Sequence, residues 1–487
     1  MSLFRTKNIQ QMIDQGQQGT HLRKTLGATD LVFLGIGALI GTGIFVLTGT
    51  GAQMAGPGLT IAFVIAAMAC CLAAFSYAEF ASSIPVAGSL YTYSYATLGE
   101  GIAWLTGWIL LLEYGLAVAS VSVGWSGYLQ SLLAGIDIHL PTVLSAAPLA
   151  IPGVQTWINL PAFLVMMAVT TLLSIGIRES ARANNIMVII KVTVVLLVIG
   201  VGAFNVHPVN WQPFLPMGWT GVFGASAIMV FAFLGFDAVS SAAEEVRNPK
   251  RDLPIGIIGS LAICALLYVL VAAVMTGMLP FARFEGASHP VSLALQAVGQ
   301  SWVAGFVDLG AVTGMLTVML VMAYGQTRII FAMSRDGLLP ARLSVINPRF
   351  ATPLFATWAV GLVVGTIGAL VPLKVLAELV NIGTLMAFSM VSIAVIVMRR
   401  THPHLPRSFR CPGMPYVPLL AVAFCVFLAL QLQRFTWIAF GIWLVVGLVV
   451  YFAYSRRHSK LAQPSAEASA VGDTSAVNVG MGVDPSV

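Results

Sequence analysis

Apolar residues in this chain run in long blocks, with no polar face recurring every helical turn. Twelve blocks lie at about 29–54, 59–83, 101–130, 157–178, 184–205, 220–243, 254–279, 302–332, 353–371, 375–398, 416–433 and 435–455. Each approaches or exceeds the ~20 residues that carry an α-helix across a bilayer core. Short polar, glycine- or proline-bearing stretches separate them. The pattern predicts an all-α polytopic protein whose partner is the lipid bilayer.

Two blocks depart from it. The first contains "LGIGALIGTGIFVLTG" (Leu34 to Gly49), with glycine at 35, 37, 41, 43 and 49. One reading is close helix packing, because Gly37 and Gly41 stand in G-x-x-x-G register. The other is an unwound segment at Gly41-Thr42-Gly43, which the membrane tolerates only where backbone lines a cavity. The sixth block, "AIMVFAFLGFDAVSSAAEEV", carries Gly235 and an acidic Asp237 near its middle. The two interruptions open units of five helices. Five is odd, so the second unit inserts upside down. Paired interruptions at corresponding positions point to an inverted-repeat transporter with its site between the halves.

The expected organisation is an N-terminal cytoplasmic segment (1–28), a first five-helix repeat (29–205), a second inverted repeat (206–399), two further helices (400–456) and a cytoplasmic tail (457–487). The tail is rich in Ala, Ser, Gly and Val and is expected to be disordered.

Composition agrees with the pattern. Of 487 residues, 58% are hydrophobic and 9% charged, against roughly 25% charged in soluble domains. The charges also orient the chain. With the N-terminus inside, inner loops and tails hold twenty of the 24 Lys and Arg, and outer loops hold three, Arg283, Lys374 and Arg434. That bias puts both termini in the cytoplasm. The net charge of +6 is spread over short loops, which argues against a nucleic-acid partner. Five cysteines form no secreted framework, and seven histidines in loops and tails suggest no metal cluster. No secretory signal is expected before the first block. Phosphate-loop, nucleophile-elbow and H-E-x-x-H motifs are absent, so an enzyme is not expected.

"GIGALIGTGIF", "MAGPG" (54–58), "FLGFDAVSSAAEEVRNPKRDLPIGI" (234–258) and "YGQTRIIFAMSRDGLLP" (324–340) together resemble the amino acid–polyamine–organocation superfamily. More narrowly they resemble its bacterial cationic amino acid transporter family, from about residue 25 to 455. The resemblance implies a LeuT-like fold: a 5+5 inverted repeat plus two peripheral helices, in a bacterial inner membrane. It implies an amino acid as substrate, protons as coupling ion and no cofactor.

A zwitterion needs donors for its carboxylate and acceptors for its ammonium. A half-helix starting after the first break offers free amides at Gly41, Thr42 and Gly43. Carbonyls of Ile40, Phe231, Ala232 and Leu234, which match the family pattern around "LIGTG" and "FAFLGFD", are assigned to the ammonium. Phe231 and Phe236 are expected to shape the side-chain pocket; ordinary packing is the alternative.

Lys191, in "NNIMVIIKVTVVLLVIGVGAF", falls about 9 Å into the fifth block at ~1.5 Å per residue. A lysine there either snorkels back to the interface or works inside the protein. The resemblance supports proton coupling, with charged Lys191 docked on carbonyls of the broken first helix. Asp237 and Glu113 are further proton-coupling candidates, whereas Glu79 reads as structural. Thr313, Thr317, Tyr324 and Gln326 are possible cavity-lining residues on the eighth block. The loop "EEVRNPKRDLP" is expected to form an inner gate with "MSRDG".

The apolar surroundings of both breaks favour small neutral amino acids. Arginine, lysine or ornithine is the alternative, as is obligate exchange; a non-transporting amino acid sensor is the reading from another class. A monomer or weak oligomer is expected, with any accessory subunit unknown.

Overall fold

The computed structural model describes residues 5–7, 26–84, 89–148, 150, 153–176, 181–350 and 352–462. Among these residues there are helices, turns and two isolated β-bridges, but no strand. In chain order the helices are α1 (Ala28–Leu39), α2 (Thr42–Phe45), α3 (Leu47–Ala55), α4 (Leu59–Ser83), α5 (Ser89–Thr97), α6 (Glu100–Ala134), α7 (Leu160–Ser174), α8 (Ala181–Ala203) and α9 (Gly218–Met229). They continue with α10 (Ala238–Ser241), α11 (Pro249–Met278), α12 (Pro290–Ala297), α13 (Ser301–Arg335), α14 (Leu354–Leu370), α15 (Leu373–Thr401), α16 (Tyr416–Ala429) and α17 (Arg434–Val450).

Eight helical runs among the described residues are long and apolar enough to cross a bilayer, and four shorter apolar helices accompany them. The distribution of polarity is that of a membrane protein. Leu164, Leu266, Leu362 and Ile442 face outward, while Glu113, Lys191, Asp237 and Asp308 are buried. Lipid stabilises the first group where it is; the second group needs internal partners.

Each predicted block is helical over most of its length. The first is divided into α1, α2 and α3, and the sixth into α9, a 3-10 turn at Val230–Phe233, and α10. Two short helices, α5 and α12, lie between blocks and were not predicted. "SLYTYSYAT" is too polar and "PVSLALQA" too short for an apolar block to reveal them.

α6 and α13, each 35 residues long, run along one another as an unbroken central pair. α1 packs on α11 and α8, α4 on α11, and α15 on α6. α7 is started by Asn159, whose side chain accepts from the Ala162 amide at 3.2 Å, a cap for an otherwise unpaired donor.

The two described ends of the chain meet at one end of this bundle, hereafter the terminal end. Arg5 donates to the Leu461 carbonyl at 3.4 Å, and the Lys460 amide to Asp336 O at 3.1 Å. Within the expected disordered tail, Ser459 is therefore buried and the Lys460 backbone is bonded, whereas residues beyond 462 lie outside the described residues. α12 precedes α13 and so belongs to the opposite end, about 50 Å away at 1.5 Å per residue.

Candidate functional site

Both interruptions are real departures from helix, and they face each other. Ile40 is extended (φ −74°, ψ 97°), as is Leu234 (φ −68°, ψ 130°). Gly235 has φ 119°, a conformation that disfavours any side chain. A Cβ placed on Gly43 would overlap the Ala232 backbone, and one on Gly235 would fall 2.9 Å from Ala38 Cβ. So each break supplies a glycine on which the other rests. Gly37 and Gly41 do not share a partner helix: Gly37 lies against Val188 and Asn184 of α8, and Gly41 against Val318 of α13. The G-x-x-x-G packing pair is not what these residues form.

A small cavity of about 10 Å³ lies where the breaks meet, room for roughly one water. Ala38, Leu39, Gly41, Thr42 and Gly43 line it on one side, and Phe231 and Leu234 on the other. Ala117 and Val121 of α6 and Val318 and Met322 of α13 complete the wall. No acidic or basic side chain is among these residues.

Unwinding frees carbonyls that an intact helix would use, and side chains from other helices take them. Lys191, fully buried on α8, donates to Gly37 O at 2.6 Å. Gly314 of α13 leaves room for its stem: a Cβ there would lie 3.0 Å from Lys191 Cε. The side chain thus runs into the protein, and snorkelling to the interface does not describe it. Tyr268 of α11 donates to Leu39 O at 2.7 Å, and Tyr128 of α6 to Phe45 O at 2.6 Å. A charged donor on a carbonyl makes one of the stronger hydrogen bonds available in a dry interior.

Of the predicted binding residues, Gly41, Thr42, Gly43, Phe231 and Leu234 line the cavity. Ile40 is fully buried beside it, and Ala232 is the contact for Gly43. Phe236 does not line the cavity. Its ring packs on Tyr77 and Phe388, with centroids 5.5 and 5.1 Å away, because the positive φ at Gly235 redirects the chain.

That aromatic cluster adjoins the carboxylates. Tyr114 donates to Asp237 Oδ2 at 2.8 Å, and Thr384 to Glu113 Oε1 at 2.9 Å. The second oxygen of each is buried without a hydrogen-bond partner, and the two groups lie within electrostatic range of each other. Both stand apart from the residues lining the cavity. Glu79 serves a different purpose. Arg399 holds it through two bonds of 2.8 and 2.6 Å, Arg407 lies at 3.5 Å, and the Cys411 amide donates at 2.7 Å. It clamps α4 to the end of α15.

The four possible lining residues of α13 are elsewhere. Thr313 and Thr317 donate to carbonyls of their own helix, Leu309 at 2.9 Å and Gly314 at 2.8 Å. Tyr324 sits under Arg328, and Gln326 reaches Leu111 O at 3.2 Å. Val318 and Met322, which sequence reasoning passed over, face the cavity in their place. The inner-gate pairing also differs. Asp336 of "MSRDG" bonds Lys7 and Tyr91, each at 2.7 Å, and burial together with Asp336 pushes the Tyr91 hydroxyl well up, keeping it a donor. Within "EEVRNPKRDLP", the Glu245 carbonyl and Arg247 amide instead bridge to Leu26.

Two interrupted helices opposed around a small uncharged cavity, inside a many-helix apolar bundle, define a membrane permease. The chain belongs to the amino acid permease family, whose pattern matches residues 26–453; it is a transporter family and not an enzyme family. It is 62% identical to the branched-chain amino acid permease BcaP of Bacillus subtilis, across 95% of this chain and 99% of that one. It is 50% identical to the methylthioribose transporter of the same organism, across 94% and 99%. The vacuolar cationic amino acid transporter 4 of Arabidopsis thaliana is 40% identical, across 82% and 68%.

Proposed function

We propose that this permease takes up neutral L-amino acids with branched aliphatic side chains, coupled to protons, by alternating access across a bacterial inner membrane. The observation that carries the proposal is the cavity wall: Val121, Val318, Met322, Phe231 and Leu234 offer an aliphatic side chain an apolar seat, and no carboxylate lines it to receive a cationic one. The 62%-identical relative is named as a branched-chain amino acid permease, which supports the same class. Amides at Gly41, Thr42 and Gly43 receive the substrate carboxylate, and carbonyls of Ile40, Phe231, Ala232 and Leu234 the ammonium. Since about 10 Å³ holds no amino acid, loading requires the two broken segments to part.

In the membrane the terminal end is cytoplasmic, as the Lys and Arg bias requires. The twelve blocks form ten helices in two inverted repeats (29–205 and 206–399) and two peripheral ones, and the unit works as a monomer or weak oligomer. Charged Lys191 holds α1 through Gly37 O, and loss of its proton releases α1. Glu113 and Asp237 pass or hold a proton in the same cycle from their own site at Tyr114 and Thr384.

Uptake of radiolabelled leucine, alanine, arginine and methylthioribose into proteoliposomes with an imposed inward proton gradient tests both parts. Leucine is expected to accumulate uphill and arginine not to. Lys191→Met is expected to abolish accumulation while counterflow persists. Undiminished uphill leucine uptake in that variant ends the coupling role, and arginine preference ends the substrate assignment.

A further inference from the structure

Between α6 and α7, at the end of the bundle opposite the chain termini, lies a cleft of about 270 Å³ that has no part in the site above. Trp125 and Leu129 of α6 form one wall, at the four-residue spacing that stacks side chains on one side of a helix. Leu160 and Leu164 of α7 form the other, and Leu140 and Leu144 of the connecting loop close it over. None of the lining residues is charged, and no polar atom is exposed in the hollow. The loop is tied in place above it. Gln130 of α6 donates to Ser145 O at 2.8 Å, and the Trp157 amide donates to Val143 O at 3.0 Å. The cleft is a built feature of the fold.

Depth decides what can fill it. α6 has 35 residues, and Trp125 lies about eight past its midpoint, about 12 Å along the axis at ~1.5 Å per residue. Half the hydrocarbon core of a bilayer is about 15 Å. The cleft thus begins inside the apolar core and reaches, at Leu129 and Leu140, into the headgroup layer. Leu164 is 56% exposed on the outer face of α7, so the cleft opens toward lipid. Water needs polar partners and does not fill an apolar hollow, while emptiness forfeits contacts for every lining side chain. A hydrocarbon chain answers both. Ile136, Ile138 and Trp157 of the loop are 50 to 71% exposed, as suits residues seated among headgroups. Charge narrows the choice further. No Lys or Arg occurs between Glu100 and Arg178, so no fixed cation waits there for the carboxylate of a free fatty acid. Asp137, exposed three residues before Leu140, is the loop's one formal charge and suits an ammonium.

We propose that this cleft binds one acyl chain of a phospholipid with an ammonium-bearing head group, of the phosphatidylethanolamine kind, from the leaflet opposite the chain termini. The chain lies between α6 and α7 against Trp125 and Leu164. Its glycerol and phosphate stay in the headgroup layer, with the ammonium toward Asp137. The site is independent of the substrate, the coupling ion and the direction of transport.

Photo-labelling of the purified permease in detergent tests it, with phosphatidylethanolamine carrying a mid-chain diazirine titrated from low mole fraction. Peptides covering 125–133 and 160–165 are expected to label saturably. Half-saturation there should fall about tenfold below that of 438–446, a stretch of α17 whose outward side chains meet lipid without a cleft. Leu164→Trp fills the mouth from a half-exposed position that tolerates a larger ring, and is expected to remove the difference. A phosphatidylglycerol probe is expected to need about threefold more lipid, and Asp137→Asn to erase that preference. Labelling that rises in proportion to mole fraction at both faces, without saturation, overturns the site. Saturable labelling by a diazirine fatty acid but not by the phospholipid overturns the source, and equal labelling by phosphatidylglycerol overturns the head group. The unsubstituted protein alone decides the first of these, so the result stands even if Leu164→Trp misfolds.

Discussion

The broken segments α1–α3 and α9–α10 and the junction of α6 with α17 solve one problem in opposite ways. In both, side chains from one helix bond backbone carbonyls of another. At the junction the helices are intact. Trp108 donates to Trp443 O at 2.8 Å, Trp443 returns a bond to Trp108 O at 3.0 Å, and their rings stack 4.5 Å apart. Trp104 adds a bond to Gly447 O at 2.8 Å. Large flat rings and reciprocal bonds leave such a contact one arrangement. At the breaks the carbonyls of Gly37, Leu39 and Phe45 are held by a lysine and two tyrosines at the ends of long side chains. Each bond there can be surrendered without disturbing the donor's own helix. The proposed parting of the breaks would then depend on who holds the carbonyl as much as on the glycines.

The contrast can be broken in three places. Gly43→Ala forces a methyl into the Ala232 backbone and is expected to cost about 100-fold or more in leucine uptake, since ångström-scale misplacement at a site has effects of that size. Normal uptake would mean that the breaks need not touch. Val318→Ala removes two methyl groups from the cavity wall beside Gly41 and leaves the backbone of both breaks unaltered in sequence. A shift of roughly tenfold in relative uptake toward bulkier neutral amino acids is expected in competition assays. Trp443→Phe deletes one indole donor at the rigid junction. It is expected to lower stability by about 1 kcal/mol in a denaturation assay and to leave KM for leucine unchanged. A changed KM would show that the junction is not passive.

The breaks were legible because glycine pairs and an acid are anomalous inside apolar blocks, and Lys191 stood out for the same reason. What lies past a break was not. Helical phase is lost wherever the backbone leaves the α conformation, so the direction of Phe236 could not be counted from Phe231; φ at Gly235 decides it. Val318 and Met322 were hidden because an apolar face toward a cavity is chemically the same as one toward lipid. Thr313 and Thr317 misled because a threonine hydroxyl can satisfy itself on its own helix and so marks no particular environment. The Tyr128 and Tyr268 contacts join residues far apart in sequence, and only the folded chain brings them together.

One contact has a bearing on biosynthesis. Glu100, near the start of α6, receives the Ser459 hydroxyl at 2.6 Å across 359 residues of chain, and Tyr451 at 3.2 Å. During translation that carboxylate enters its site long before either hydroxyl has left the ribosome. A nascent chain halted anywhere ahead of Tyr451 therefore leaves this buried acid with only the Tyr95 hydroxyl, at 3.3 Å, of the three that answer it in the finished fold.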